Sequence, residues 1–522
     1  MVEEHKFKQL MQVTNPDFKN LSRHTVKRDL LASFKNEKEI FKSLLSSAMG
    51  KVCLTSDNWR SEHTLDEFIY ITAHWIDVNW KLQKIIIWFK DLTHPFDSKS
   101  IADEVSLCLR DWGIEDKVFS ITLDNAAYND QMAKNLKRRL LINGSLLCGG
   151  DLFQVRCCSH ILNLIVQSGL KLADDVISKV RNGIKYLKKS VSRKKKFYDI
   201  AVKTYHLNEN KRLRIDVSVR WNSTFLMLDH AIYFKSALQY WGCRDNNYKN
   251  YVLSEDEWEK VEKLHQFLEV FYDVTCAFSG SKYPTSNVYF RGVWKIHKHL
   301  LSEIRAPSSF ISGMVGKMKE KFDKYWTDYS LVLSCAAVLD PRLKLRYLEF
   351  AHEKTYGNTS RLAPVVDTLN SIYDEYELRH SSLAQSGGSA NIDSSGRQQD
   401  SDEEYDIYLS HRSSQSEKTQ LALYLNEASL DIRADIDILE HWKKVSDQFP
   451  ILASMARDIL AIPISTVASE STFSIGKKLI SPWRSSLKSN TIEALICLED
   501  WIRVADGNLI QFSLFFYHIN IK

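Results

Sequence analysis

Apolar and polar positions change their period several times along this chain. The first fifty residues carry helical spacing, as in "SRHTVKRDLLASF", where a Ser/Thr start signal precedes a periodic apolar run. The period then shortens. "KVCLTSD" (Lys51 to Asp57) alternates as a strand does, and "FIYITAHWI" and "KLQKIIIWFKDL" are rich in β-branched and aromatic residues, with a short link near Asp77–Trp80. These features predict a first strand followed by a long hairpin. "SIADEVSLCLRDWG" (Ser100 to Gly113) reads as a helix with Ser as N-cap, acids in its first turn and a closing Gly. "KVFSITLDN" (Lys117 to Asn125) predicts a fourth strand, "NDQMAKNLKRRLL" a helix, "LFQVRCCSH" a fifth strand, and "HILNLIVQSGLKLADDVI" the helix after it. The order β-β-β-α-β-α-β-α defines an α/β class with a mixed sheet layered by helices.

From about 165 to 375 the pattern is helical, as in "WEKVEKLHQFLEVFYDVTCAF". Residues 381–419 are polar, Ser-rich and acidic, a composition that predicts a disordered linker. Helical spacing resumes at "DIDILEHWKKVSDQFPILASMARDIL" and lasts to about Arg503. The segments expected are therefore 1–50 helical, 51–165 α/β, 166–380 helical, 381–419 linker, 420–503 helical and 504–522 an unassigned tail. No internal repeat is found.

Composition narrows the class. The chain has 522 residues and is 44% hydrophobic, which is globular and long enough for two to four domains. Lys and Arg number 70 against 65 Asp and Glu, so a nucleic-acid partner must be argued from local charge. Nine Cys without framework spacing read as reduced and intracellular. The charged start "MVEEHKFKQL" predicts no signal peptide, and no run of about 20 apolar residues predicts a membrane span.

Two acids stand at the ends of predicted strands: Asp57 at the end of the first and Asp124 at the end of the fourth. If the first strand is central and pairs parallel with the fourth, both carboxylates lie at the edge where such sheets bind ligands. With a third carboxylate from a helix they would make an oxygen site for Mg²⁺ or a similar hard cation. Two such ions about 4 Å apart serve phosphodiester chemistry. An Asp at a strand end is also a common turn residue or helix cap. A third acid, Glu470, sits among small residues in "PISTVASESTFSIGKK", where Pro463 and Ser465 suit a helix start.

"LTSDNW", "ITLDNAAYND", "RCCSHILNLIVQSGL", "DVSVRWNSTFLML" and "MARDILAIPISTVASESTFS" occur in that order. Together they resemble the hAT transposase superfamily, in particular its plant BED-zinc-finger, RICESLEEPER-type group. The block containing "ISPWRSSLKSNTIEALICLEDWIR" is similar to that family's C-terminal dimerisation region. The resemblance implies an RNase H-like core interrupted by a large all-α insertion before its last helix. It implies the acidic triad Asp57, Asp124 and Glu470, two Mg²⁺ or Mn²⁺ ions, and cut-and-paste transfer in which water attacks first and a DNA 3′-hydroxyl later. It also implies DNA and a second copy of the chain as partners, and a nuclear location. The family's BED finger would supply Cys-x-x-Cys and a His pair upstream of the core. No Cys precedes Cys53, so no zinc is expected in this chain.

Other marked residues carry two readings each. Cys157-x-x-His160 has zinc-like spacing without a second pair; the expectation is that Cys157 packs and His160 orients a neighbour, in support of the active site. Arg220 and Trp221 in "SVRWNST" suit a phosphate grip and a base stack, and Trp221 resembles the family residue that holds a flipped base; a core Trp on an amphipathic helix is the alternative. Lys188, Lys189, Arg193, Lys194, Lys195 and Lys196 form the densest basic run, suited to DNA contact or nuclear import, or simply solvated. Trp442, Leu495, Leu498 and Trp501 fit a dimer surface or an internal core. Three functions follow: a DNA-cutting transposase, a non-catalytic DNA-binding and dimerising regulator or decayed copy derived from one, and, last, an RNase H-like nuclease acting on RNA.

Overall fold

The computed structural model describes residues 3–19, 21–92, 97–144, 146–305, 310–327, 329–387, 419–466, 476, 479–480 and 487–508. Two helices lead in, α1 (His5–Thr14) and α2 (Arg23–Ser46), the second capped by the Ser22 hydroxyl, which accepts from Thr25 N. The hairpin strands follow the first strand as expected: β1 (Val52–Arg60), β2 (Glu67–Ile76) and β3 (Leu82–Asp91). Asp77 closes the β2–β3 link by accepting from the amides of Asn79 and Lys81, both at 2.9 Å. Then come α3 (Ser98–Trp112), β4 (Val118–Leu123), α4 (Ala127–Ile142), β5 (Gln154–Arg156) and α5 (Cys158–Leu170). The sheet order is β3-β2-β1-β4-β5, antiparallel on the hairpin side and parallel across β1, β4 and β5. This is the mixed sheet the RNase H-like expectation requires, with β1 at its centre.

The helical insertion comprises α6 (Asp174–Lys188), α7 (Val191–Lys203), α8 (Trp221–Tyr233), α9 (Lys235–Arg244), α10 (Glu255–Phe278), α11 (Tyr289–Arg305), α12 (Ser312–Trp326), α13 (Leu331–Val338), α14 (Lys344–Tyr356) and α15 (Ala363–Gly387). The C-terminal block contributes α16 (Gln420–Asn426), α17 (Ile438–Val445), α18 (Pro450–Leu460) and α19 (Ser489–Asn508).

Several boundaries differ from expectation for local reasons. β1 continues three residues past Asp57, because Asp57, Asn58 and Trp59 keep pairing with Tyr70, Ile69 and Phe68. α3 starts earlier than read: Asp97 is its cap, and Ser100 is the reciprocal partner of a capping box, while Gly113 ends it at φ 64°. α15 runs through 381 to Gly387, so the predicted linker begins later than expected; residues 388–418 lie outside the described residues. Pro463–Thr466 itself is irregular and bonded along other elements, and the helix expected to carry Glu470 falls beyond Thr466, outside the described residues.

Two apolar cores share the sheet. One face, with Leu54, Ile71, Ile85 and Val118, packs against α2, α3, α4 and α19. The other, with Cys53, Phe119 and Val155, joins the core of the helical insertion. The C-terminal block is divided between them. Trp442 on α17, together with α18, belongs to the helical core, and Trp501 on α19 to the sheet core.

Candidate functional site

The parallel ladder pairs Leu54 with Ile121 and Thr55 with Thr122. Two residues past that last rung stand Asp57, still in β1, and Asp124, just after β4, and both charges act on the Tyr128 phenol. Alternation keeps Thr55 and Asp57 on one face, with Thr122 and Asp124 beside them. That face carries a buried polar stripe: Thr55 bonds Thr72, and Thr72 bonds His74 Nε2 at 3.1 Å. Burial, and then Lys84, push the His74 imidazole down to about 3, so it is neutral in the folded protein.

Asp124 is oriented by its own loop. Its Oδ1 accepts from Ala126 N at 3.0 Å and from the Asn129 amide at 2.5 Å, and Asn129 is itself buried. Among the described residues Oδ2 has no hydrogen-bond donor. Asp57 Oδ1 accepts from Asn58 N at 2.8 Å. In the first turn of α4, the Tyr128 phenol is pushed up to about 12 by burial and by the Asp124 and Asp57 charges, and it bonds the Asn58 side chain. Tyr128 thus shares one field with both carboxylates and stays protonated. Asn129 and Tyr128 were not anticipated from sequence, although both lie in the same "LDNAAYND" as Asp124.

The chain leading toward Glu470 is zipped to this edge. The Thr122 hydroxyl donates to Pro463 O at 2.6 Å, and Cys158 N to Ile464 O at 2.8 Å. Ile464 N donates to Thr285 Oγ1 at 3.3 Å, and the Ser465 and Ser159 hydroxyls meet at 2.9 Å. Thr466 gives both its amide and its hydroxyl to the Cys157 sulfur, at 3.4 and 3.5 Å. Burial raises the Cys157 thiol above its ordinary value, opposed by the Thr466 donors and the His160 backbone. Cys157 therefore packs and accepts from Thr466, holding the strap Pro463–Thr466. His160 lies on the half-exposed side of α5. Glu470 itself falls outside the described residues.

Two all-oxygen carboxylates side by side have the donor chemistry of a hard divalent cation. Among the described residues no group of three or more His, Cys, Asp or Glu gathers as a metal site.

The expected DNA-binding residues divide. Lys188, Lys189, Lys194, Lys195 and Lys196 are exposed, at the end of α6 and on α7, and none joins an ion pair among the described residues. Arg193 departs from that face. It lies 3.6 Å over the Tyr186 ring, donates to Tyr186 O at 2.5 Å and approaches Asp245. Arg220 is exposed, but Trp221 is 2% exposed and packs in the helical core with its amide on Asn163 Oδ1. α8 buries its apolar side there, Trp221 together with Phe225 and Leu228.

The expected dimer anchors are likewise spent inside the chain. The Trp442 indole donates to Leu339 O at 3.0 Å and the Trp501 indole to Ile86 O at 2.9 Å, and both rings and Leu498 are fully buried. Only Leu495 is half-buried. Long apolar runs at helical spacing fit either a core or an interface, and here the two internal cores absorb them.

Family comparisons agree with this architecture. Residues 55–152 match the ZBED1 RNase-like domain and 155–267 the ZBED1 RNase-like helical domain. Residues 287–376 match the RNase-H fold of hAT-like transposases, and 406–502 the hAT family C-terminal dimerisation region. The chain belongs to the hAT transposase family. It is 34% identical to zinc finger BED domain-containing protein RICESLEEPER 2 of Oryza sativa subsp. japonica, over 96% of this chain and 72% of that protein. It is 32% identical to a putative AC transposase of Zea mays, over 96% of this chain and 63% of that protein. DAYSLEEPER of Arabidopsis thaliana is 31% identical, over 96% and 71%. No helix among the described residues is long and apolar enough to cross a membrane.

Proposed function

We propose that this chain is a nuclear, transposase-derived DNA-binding protein that cuts and joins DNA by metal-assisted phosphodiester transfer, acting as a homodimer through its C-terminal region. The observation that supports the reading is the parallel pairing of β1 with β4 up to Thr55 and Thr122, two residues before Asp57 and Asp124, with the described chain bonded to that edge as far as Thr466, four residues before Glu470. Asp57, Asp124 and Glu470 would hold Mg²⁺ or Mn²⁺. When bound, the ions activate the attacking oxygen and stabilise the leaving one. The chain's own residues supply orientation. Ala126 and Asn129 hold one Asp124 oxygen and leave the other to face the cation, and Tyr128 offers a protonated hydroxyl beside the phosphate. The exposed lysines from Lys188 to Lys196 track the DNA backbone and serve nuclear import. The Cys157 clamp fixes the approach of the segment that carries Glu470.

The test is incubation of the purified chain with Mn²⁺ and duplex DNA bearing hAT-type terminal repeats, beside Glu470→Gln. Cleavage by the parent and not by the variant supports the reading. If both bind with a steep salt dependence and neither cuts, the chain is a non-catalytic DNA-binding regulator. If the parent cuts only RNA or hybrid strands, the RNase H-like nuclease takes its place.

A further inference from the structure

The loop before α8 is fixed and yet carries apolar side chains into solvent. Asp216, buried within it, takes a two-pronged bond from Arg181 on α6, Nε to Oδ1 at 2.7 Å and an Nη to Oδ2 at 2.8 Å, and a third from the Thr224 hydroxyl at 2.9 Å. Ser223 Oγ closes the turn by accepting from Val217 N at 2.7 Å and donating toward Val217 O and Arg220 O. Gln167 on α5 donates to Ser218 O at 2.8 Å, and Asn163 accepts from Trp221 N. On this braced turn Val217 is 54% exposed and Val219 69%. Around them stand Lys211, Arg212, Arg214 and Arg220, all exposed, with no acid among the exposed positions of 211–220. Exposed valines on a rigid tip cost solvation and contribute nothing to the chain's own core.

The placement gives the tip a direction. α5 begins at the edge beside Asp124, where Cys157 N bonds Leu123 O. His160, Asn163 and Gln167 form one half-exposed stripe along that helix. Asn163 and Gln167, which hold the loop, lie about 9 and 15 Å along α5 from its cap at Cys157. That is on the order of three to four base pairs of duplex from the carboxylate edge.

We propose that the Val217–Val219 tip is an apolar wedge that enters a groove of double-stranded DNA beside the proposed cutting edge and unstacks the step it touches, while Lys211, Arg212, Arg214 and Arg220 hold the phosphates on either side. Apolar wedges flanked by basic groups kink duplexes in this way, and the basic rim complements a phosphate backbone on either side of the tip, where a neutral or basic partner would leave the four cations uncompensated. The inference rests on the proposed function for its partner, but not on catalysis.

The test uses the full chain in Ca²⁺ with a terminal-repeat duplex carrying 2-aminopurine at successive positions within five base pairs of the proposed cut. Binding of the parent is expected to raise the fluorescence severalfold at one or two adjacent positions. Val217→Ser with Val219→Ser is expected to abolish that rise while leaving the salt slope of binding and the melting temperature unchanged. Arg214→Gln is expected to lower the slope by about one. Lys195→Gln, outside the loop, is expected to weaken binding with the fluorescence rise intact. An equal rise with the serine variant overturns the wedge while leaving DNA binding standing. A parent that binds DNA without any rise overturns it as well. A parent that binds no DNA overturns the proposed function and the wedge together.

Discussion

The hydroxyl of Thr122, in the last turn of the sheet's second parallel strand, donates to the carbonyl of Pro463 across 341 residues of sequence, at 2.6 Å. The bond joins β4, which ends one residue before Asp124, to the strap that leads toward Glu470. Thr122→Val keeps the shape and leaves a buried carbonyl without its donor, at a cost of about 1–3 kcal/mol. A lower urea midpoint, together with loss of Mn²⁺-dependent nicking, is the expected outcome. Thr122→Ser, which restores a hydroxyl, should recover both.

Cys157 offers a graded version of the same experiment. Its sulfur takes two donors from Thr466. Cys157→Ser retains an acceptor and should keep most activity, whereas Cys157→Ala should lose it with the DNA-binding affinity unchanged. If Cys157 were a zinc ligand instead, metal analysis of the purified parent would find zinc that both variants lack.

The Arg181–Asp216 pair is buried on the Asp side and bonded through both oxygens. Removing one partner strands the other charge, so Arg181→Met should cost about 3–5 kcal/mol, and the double variant with Asp216→Asn less than the sum. Chemical denaturation of the four proteins in the cycle reads the coupling directly.

Trp442 and Trp501 separate a core role from an interface role. Each is wholly buried within one chain and bonds a carbonyl of it. Alanine at either should cost about 3–5 kcal/mol of folding free energy. Sedimentation should show unfolding or aggregation in place of clean dissociation to folded monomers. Leu495→Asp, at the half-buried position, is the variant expected to shift a monomer–dimer equilibrium if α19 takes part in one.

Acid should act through His74. Its folded value, pushed down by burial, lies below the ordinary imidazole value, so the unfolded chain binds the proton first. The stability it contributes is complete above about 6.5 and is lost as the pH falls toward about 3. Asp458 and Asp500 work oppositely. Burial raises both carboxyls, so their contribution is full below the ordinary carboxylate range and fades as the pH rises through their folded values. His74→Gln should therefore lose less stability than the parent between pH 7 and pH 5, read as urea midpoints at the two values.

Much of the sheet was legible because alternation and β-branched runs are local signals. The three-strand meander and the parallel return of β4 beside β1 followed from element order. Boundaries slipped where side chains decide: at Asp97, whose cap competes with Ser100, and at Asp57, whose strand continues because its partner does. What sequence could not allocate was burial. Trp221, Trp442 and Trp501 have the spacing of exposed anchors as well as of core residues, and only the packing of α8, α17 and α19 assigns them inward. Asn129 and the Asp216 brace escaped, although both lie inside quoted motifs, because each acts through a side-chain contact that spacing does not reveal: Asn129 on Asp124, and Asp216 on Arg181 of another helix.

Trp501 has one more consequence. Its ring lies between Phe34, stacked at 5.4 Å, and Phe41 at 5.2 Å, so α2 is completed by the last of the described helices. During synthesis the sheet and α2 leave the ribosome hundreds of residues before the ring that fills their core. At about 5–20 residues per second that interval is tens of seconds, during which a large apolar surface has no native cover. The newborn chain is thus a natural client for chaperones, and a stop codon anywhere before Trp501 would leave a product fit for degradation rather than a shortened working protein.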